Sequence, residues 1–277
     1  MKNIKKIISF IIVSLLLMSV VSCKKDDTPK ETESTTKETT VATTTTADKK
    51  EEKKITIATY NIKNGNLVGY DFSILAEDIL DSGAEIIGLQ EVDMLTNRNQ
   101  MQDTLEILSE ETGFKYYAFA YAVPQDVGQY GNAILSKYPI IEHEVFDLSL
   151  KNGEGEKRVL LHAVIQIDDD TTMDFFVTHI ESRSAILQFK DIDTQLEKCD
   201  SFILMGDFNQ YPSSEAFTYL QNAYMLNTSD DEITHTTIDN YDFDNIVPHT
   251  SVKCVDPRTI NTEHSDHYML VADWIIQ

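Results

Sequence analysis

A short apolar run, Phe202 to Met205, reaches Gly206 and then presents Asp207 and Asn209 on either side of Phe208. Residues two apart on a strand share a face, so a carboxylate and an amide would point one way while Phe208 turns into the interior. The same ending recurs along the chain. Ile55 to Tyr60 runs into Asn61, Glu85 to Gln90 into Glu91, and Phe175 to Thr178 into His179. Asp244 lies inside the run Tyr241 to Val247, and Ser265, Asp266 and His267 lead into the last apolar segment. Any one of these reads equally well as a strand cap, because Asp and Asn favour turns. Glu91 and His179 are not turn formers, however, and polar groups gathered at strand ends are where layered α/β proteins build their sites.

The donor types divide in two. Asn61, Glu91, Asp207, Asn209 and Asp266 offer hard oxygen and no sulfur, which suits Mg²⁺ or Mn²⁺ ahead of zinc. His179 and His267 supply acid–base or phosphate-binding nitrogen, and a carboxylate beside each would hold its tautomer. Metal, carboxylate and imidazole together fit metal-assisted attack of water on a phosphate ester. Competing motifs are absent: the sequence has neither a G-x-S-x-G elbow nor a G-x-x-x-x-G-K-[ST] phosphate loop. His264 and His267 lack the thiolate pair or H-E-x-x-H of a zinc site, and the acid-rich run 239–245 lacks the central Gly and closing Glu of a calcium loop. Arg98 reads either as a bidentate phosphate ligand or as an exposed loop cation. Tyr130 reads as a site-lining or an edge-packing residue. Arg158, at the start of a strand, reads as ordinary.

The elements that must carry these groups are short and β-rich. Strands are expected at 55–60, 85–90, 116–122, 132–136, 158–167, 173–179, 202–205, 243–247 and 268–276. Helical spacing marks Phe72, Leu75 and Ile79, then Leu105, Ile107 and Leu108, then 185–196 and 215–220. Gly83 and Gly113 sit where helix stops belong. About nine strands and four helices, with strands alternating with helices early and clustering later, predict sheet packed on sheet with helices outside, in one domain.

The termini of this domain and its charge set its context. Lys2, Lys5 and Lys6 precede the apolar run Ile7 to Val21, and Ser22 and Cys23 follow. This is a secretory signal over residues 1–22. A Cys directly after a small residue resembles a bacterial lipobox, which implies that Cys23 is the lipidated first residue of the mature protein. The alternative is an uncleaved N-terminal anchor; both place the domain outside the cytoplasmic membrane, because the positive flank stays inside. Residues 23–54 are a Thr/Lys/Glu-rich tether that cannot bury enough apolar area to order itself. Residues 55–277 hold 12 lysines and arginines against 38 acids. Such a surface repels polyanions and argues against gripping long duplex, although a bound metal reverses the field locally. Cys199 and Cys254 are too few to read as a disulfide framework.

The stretches Thr59–Ile62, Leu89–Asp93, Tyr130–Ser136, Thr178–His179, Gly206–Asn209 and Ser265–His267 resemble, in the same order, the motifs of the endonuclease/exonuclease/phosphatase superfamily, the deoxyribonuclease I-like metal hydrolases. The resemblance spans essentially all of 55–277. It implies a four-layer α/β sandwich with two mixed sheets face to face. It also implies that Glu91 is the principal metal ligand, helped by Asn61, with Asp266 in the metal shell. Asp207 would orient or activate water, or help hold the metal, and Asn209 would hold phosphate or nucleophile. His267 would contact the scissile phosphate or act as base, oriented by Asp244, and His179 would donate to phosphate or leaving oxygen. Where relatives often read Asp-Tyr-Ile, this chain reads Asp244-Asn245-Ile246, so Asp242 competes for the role of Asp244.

Two functions follow from this reading. One is a membrane-anchored, extracytoplasmic, monomeric phosphoesterase acting on a nucleic acid, a lipid headgroup or a small phosphate ester. The other is a non-catalytic binding lipoprotein on the same fold.

Overall fold

The computed structural model describes residues 53–148, 155–227 and 235–276. The signal segment, Cys23 and nearly all of the tether lie outside the described residues. Four layers form around two mixed sheets. The first sheet begins with β1 (Lys53–Asn61), which leads through a 3₁₀ turn (Lys63–Val68) and α1 (Phe72–Asp81) to β2 (Ile86–Met94). Helix α2 (Thr104–Thr112), β3 (Tyr116–Gln125) and β4 (Gly128–Ser136) follow. The chain then enters the second sheet with β5 (Ile140–Asp147), β6 (Val159–Gln166) and β7 (Thr172–His179), crosses through α3 (Ala185–Leu196) to β8 (Phe202–Asp207), and adds β9 (Asp244–Pro248). It returns to the first sheet with β10 (Lys253–Ile260) and β11 (Met269–Ile276). The strand orders are β10-β11-β1-β2-β4-β3 and β5-β6-β7-β8-β9.

Each sheet contains one parallel pair, β1/β2 and β7/β8, and every other neighbour is antiparallel. Parallel strands need a crossover, and α1 and α3 supply it. Strands buried on both faces are apolar throughout instead of alternating. Ile55, Ile57, Leu161, Phe175, Val177 and Met205 fill the seam between the sheets, where Trp274 meets Phe175 edge-on at 6.1 Å. Ala58, Tyr60, Ile87 and Leu89 pack under α1 and α2, and Leu160, Phe176, Leu204 and Phe208 under α3.

The helical spacing at 72–79, 105–108 and 185–196 yields helices as expected. The segment 215–220 differs: Glu215–Tyr219 is a 3₁₀ turn. Two strands escape the sequence patterns, and both lie at sheet edges. In β5, the exposed Glu142, His143 and Glu144 erase the alternation. In β10, Pro257 and the positive φ of Asp256 accompany a register shift between Val255 and Arg258. Cys199 and Cys254 are free thiols, Cys254 being buried.

Gly206 holds the β7/β8 register. It pairs with Thr178, and a Cβ there would lie 2.1 Å from the Thr178 carbonyl oxygen. The close approach it permits is therefore that of a neighbouring strand. Gly206→Ala should destabilise the domain by about 1–3 kcal/mol, the usual cost of overpacking. Urea unfolding monitored at Trp274 measures this, and unchanged stability would refute the constraint.

Candidate active site

The register of three strands aligns a row of side chains at one rim. His179 pairs with Asp207 across β7/β8, and Asp207 pairs with Asp244 across β8/β9. At the matching rim of the first sheet, Asn61 ends β1 opposite Gln90. The two rims meet: Asn61 Nδ2 donates to Asp207 Oδ2 at 3.0 Å and to Glu91 Oε1 at 3.1 Å.

Glu91 reaches this rim by a route different from the expected one. Strand β2 does not end at Gln90 but continues to Met94. Leu89 pairs with Ala133 and Val92 with Gly131, so Gln90 and Glu91 together face a single residue. This β-bulge sets Glu91 at φ 59. Strict alternation would have put Glu91 on the same face as Ile87 and Leu89, under the helices. The extra residue gives that slot to Val92 and swings the carboxylate to the rim.

Asn209 likewise arrives by a turn and not by strand period. Strand β8 stops at Asp207, and Asn209 has a positive φ of 47. Its backbone N–H donates to Asp207 Oδ1 at 2.9 Å, and its side-chain amide donates to His179 Nε2 at 3.0 Å and to the Ile180 carbonyl at 3.1 Å. Phe208 does turn inward, against Phe189 and Phe217.

His267 Nδ1 meets Asp244 Oδ2 at 2.8 Å. Asp242 instead pairs with His235 at 3.0 Å, so Asp244 is the partner of His267. The turn carrying His267 is pinned to β1, because Ser265 Oγ donates to the Asn61 carbonyl at 2.6 Å. Asp266 makes an ion pair with Lys63. Asp207, 1% exposed, stands between the two imidazoles: His179 Nε2 lies 3.4 Å and His267 Nε2 3.7 Å from its Oδ2.

The two histidines are driven apart electrostatically. For His179, burial lowers the pKa to about 4; Asp207 opposes this, while Arg158 and His267 reinforce it. For His267, burial also disfavours the charge. The Asp244 carboxylate and its hydrogen bond, with Asp207 and Asp266, outweigh that and raise the pKa to about 10. His179 is thus neutral and His267 an imidazolium at neutral pH. Burial raises the pKa of Glu91, the Asn61 hydrogen bond lowers it, and the charge of Asp207 raises it again.

Carboxylates crowded out of water call for a cation. Glu91 and Asp207 share one amide, and Asp266 lies close enough to add to the upward push on Glu91. This all-oxygen set fits Mg²⁺ or Mn²⁺. As placed, Asn61 turns its amide nitrogen to the carboxylates and its Oδ1 to the Lys63 N–H at 3.0 Å. To ligate a metal, Asn61 must rotate its amide. Asp207, Asp244 and His267 also bring ligand atoms within 4.8 Å of one another. In that group His267 Nδ1 is already engaged by Asp244, which makes it a histidine–carboxylate pair. Glu91 and Asp207 are the better metal donors.

A cavity of about 350 Å³ opens beside Glu91, lined also by Asn64, Arg98, Tyr130 and Arg158. Arg98 is committed: it forks onto buried Asp93 with contacts of 2.5 and 2.7 Å, and lies over the Tyr130 ring. Arg158 is different. One guanidinium nitrogen binds Glu156 at 2.6 Å, but its Nε is buried with no hydrogen-bond partner. From its position in the sequence Arg158 reads as ordinary. Strand pairing places it: β6 runs antiparallel to β7, so the start of β6 lies at the rim where β7 ends.

The opposed shifts have opposite linkage. His179 binds its proton less well folded than unfolded, so its contribution to stability is present above its ordinary 6.5 and lost as pH falls toward 4. His267 binds more tightly when folded, so its contribution is full below 6.5 and lost as pH rises through 10. Histidine NMR titration of metal-free protein should show both values. Asp244→Asn should bring the His267 value down toward 6.5, whereas Asp242→Asn should not; equal effects would refute the pairing.

The endonuclease/exonuclease/phosphatase family model matches residues 58–267. A search of curated protein sequences finds no match. Among solved structures, an endonuclease/exonuclease/phosphatase from Beutenbergia cavernae superposes with a TM-score of 0.64 at 17% identity, covering 80% of this chain and 71% of that one. A mannosyl-6-phosphatase from Bacteroides thetaiotaomicron superposes with a TM-score of 0.61 at 15% identity, covering 80% and 100%. ANGEL2, a 2′,3′-cyclic phosphatase, gives 0.64 at 13% identity, covering 81% and 96%. At such identities these structures report the shared α/β sandwich fold. With its sheet order, its rim of acids and imidazoles, and a family match over most of its length, the chain belongs to the endonuclease/exonuclease/phosphatase family.

Proposed function

We propose that the protein is a divalent-metal-dependent phosphoesterase acting on a small phosphate ester, held outside the cytoplasmic membrane through Cys23. The observation that carries the catalytic reading is Asp207: a buried carboxylate within 3.7 Å of two imidazoles of opposite protonation state. Environments that push paired groups apart mark acid–base division of labour. A metal held by Glu91 and Asp207, with Asn61 and Asp266, would polarise the phosphoryl oxygens and neutralise developing charge. His267, already protonated, donates to the phosphate. Asp244 keeps that imidazolium charged and oriented. Asp207 accepts from the backbone N–H of Asn209 and holds its other oxygen toward the reacting centre. His179 remains neutral, and Asn209 fixes its ring through Nε2.

Three features support a small ester over long duplex. The cavity beside Glu91 has a volume near 350 Å³, within the range of small-ligand sites. Arg158 lines it and brings a guanidinium charge. The domain's acidic surface repels polyanions. Two of the structurally similar proteins are phosphatases of a sugar phosphate and of a cyclic phosphate. The N-terminal lysines, apolar run and Cys23 support lipid anchoring. Among the described residues, no helix is long and apolar enough to cross a membrane.

The full chain, assayed with Mg²⁺, Mn²⁺ or chelator on a sugar phosphate, a 2′,3′-cyclic nucleotide, sphingomyelin and plasmid DNA, tests this. Metal-dependent turnover of a small ester is expected, and silence on all four would favour the non-catalytic binding reading. His267→Ala and Asp207→Asn should each lower kcat by about 10²–10⁴-fold, the scale of acid–base catalysis. A bound metal offsets the charges of Asp207 and Asp266, so Asp244 is left as the main support of the His267 proton; activity should decline as pH rises and that proton is lost, and Asp244→Asn should move the decline to lower pH. Arg158→Ala should raise KM about tenfold, the value of one charge-assisted hydrogen bond. Cys23→Ser should shift the protein from the membrane fraction to the soluble fraction; unchanged partition would refute lipid anchoring.

A further inference from the structure

A second group of metal-ligating side chains lies on the α3 side of the second sheet, away from the catalytic rim. His162 on β6, Asp174 on β7 and Cys199, just past α3, each bring a ligand atom within 4.8 Å of the others. Their convergence follows from register. His162 pairs with Phe176, and Asp174 is two residues before Phe176 on the same strand. His162 and Asp174 therefore sit diagonally on one face, with His162 Nε2 2.6 Å from Asp174 Oδ1. Leu160 and Phe176 show that this face looks toward α3. Helix α3 covers its apolar part and ends at Leu196, and the N–H of Cys199 closes the turn onto the Leu196 carbonyl at 3.0 Å. That turn hangs the thiol over the polar end of the face.

We propose that His162, Asp174 and Cys199 form a binding site for Zn²⁺ or a similar borderline-soft divalent ion, separate from the oxygen site at Glu91 and Asp207. One imidazole, one carboxylate and one thiolate are a donor set for zinc and a poor one for Mg²⁺. The set leaves a fourth position for water. The floor is rigid, because the His162 ring stacks on Phe176 at 4.4 Å and 9°, and Phe176 in turn meets Phe202 edge-on. All three donors are only half-buried, so an ion has an entry path. Asp174 lies five residues before His179, about 17 Å along the strand, so the two sites do not share a ligand.

Without metal the thiol is protonated. Burial, then the charge and hydrogen bond of Asp174, push the Cys199 pKa up to about 12. Binding therefore replaces the S–H bond by a metal–sulfur bond and releases that proton to solvent. It also exchanges the direct His162–Asp174 contact for a bridge through the ion. The bound ion would tie β6 and β7 to the segment that leads from α3 into β8, the strand ending in Asp207.

The test uses the detergent-solubilised full chain, stripped of metal and then saturated with Mg²⁺. Titration with Co²⁺, a spectroscopic stand-in for Zn²⁺, should develop a near-ultraviolet sulfur-to-cobalt charge-transfer band together with tetrahedral visible bands. Cys199→Ser should abolish the charge-transfer band. His162→Ala and Asp174→Asn should each weaken Zn²⁺ competition more than about tenfold, the loss seen when even an indirect partner of a metal is removed. Zn²⁺ should raise the thermal midpoint of the starting protein and not that of Cys199→Ser. Thermal midpoints of the metal-free variants verify that each still folds. No charge-transfer band in the starting protein, or an equal band in Cys199→Ser, would overturn the site. Because the readout is spectral and Mg²⁺ is present throughout, this outcome is independent of whether phosphate esters are hydrolysed.

Discussion

The active-site architecture depends on one buried carboxylate. Asp207 is almost wholly out of water, yet it touches groups from four segments that build the rim: Asn61 from the first sheet, His179 from β7, Asn209 from the following turn and His267 from the last loop. A buried charge is tolerated only where partners surround it. The parallel β7/β8 register puts His179 opposite it, and the antiparallel β8/β9 register adds Asp244 on the other side. Two sheets that meet largely through apolar side chains are joined here by a hydrogen bond from an amide to an acid, as they are at Asn132, whose amide donates to the Val159 carbonyl.

The proposed function asks a strongly acidic domain to take an anionic substrate. The carboxylates at the centre would hold a cation, and Asp244 keeps His267 protonated. Arg158, just before β6, brings a positive charge to the same rim. A bound divalent ion would reverse the field locally, which would suit a compact phosphate over a long polyanion that must cross the surrounding surface. Burial disfavours the charge on both imidazoles and leaves His179 neutral; His267 stays charged against it because a carboxylate sits directly on its Nδ1.

Cost is visible in the backbone. Glu91 and Asn209 both adopt positive φ, unusual for residues with a Cβ. At Glu91 regular geometry would have aimed the side chain under the helices, and at Asn209 the strand has already ended. The surrounding pairings hold these conformations: Leu89 and Val92 flank the bulge on β2, and the Asn209 amide is held by His179 and Ile180. Arg158 shows the complementary case, in which a strand start reaches the rim because its neighbour runs the other way.

The sequence by itself determined the helices α1, α2 and α3, the strands buried on both faces, and the residue types at their ends. These are local properties: a 3.6-residue spacing, an unbroken apolar run and a donor that turns do not favour are all readable within a dozen residues. The edge strands β5 and β10 were not legible, because exposed charge and a bulge erase their pattern. Nor were the bulge at Glu91, the turn at Asn209, the choice of Asp244 over Asp242, or the place of Arg158 at the rim. Each of these depends on which strands pair, in what register and in which direction. Register joins residues as far apart as Asn61 and Asp207, and only the closed sandwich decides it, because only there does buried Asp207 meet its donors.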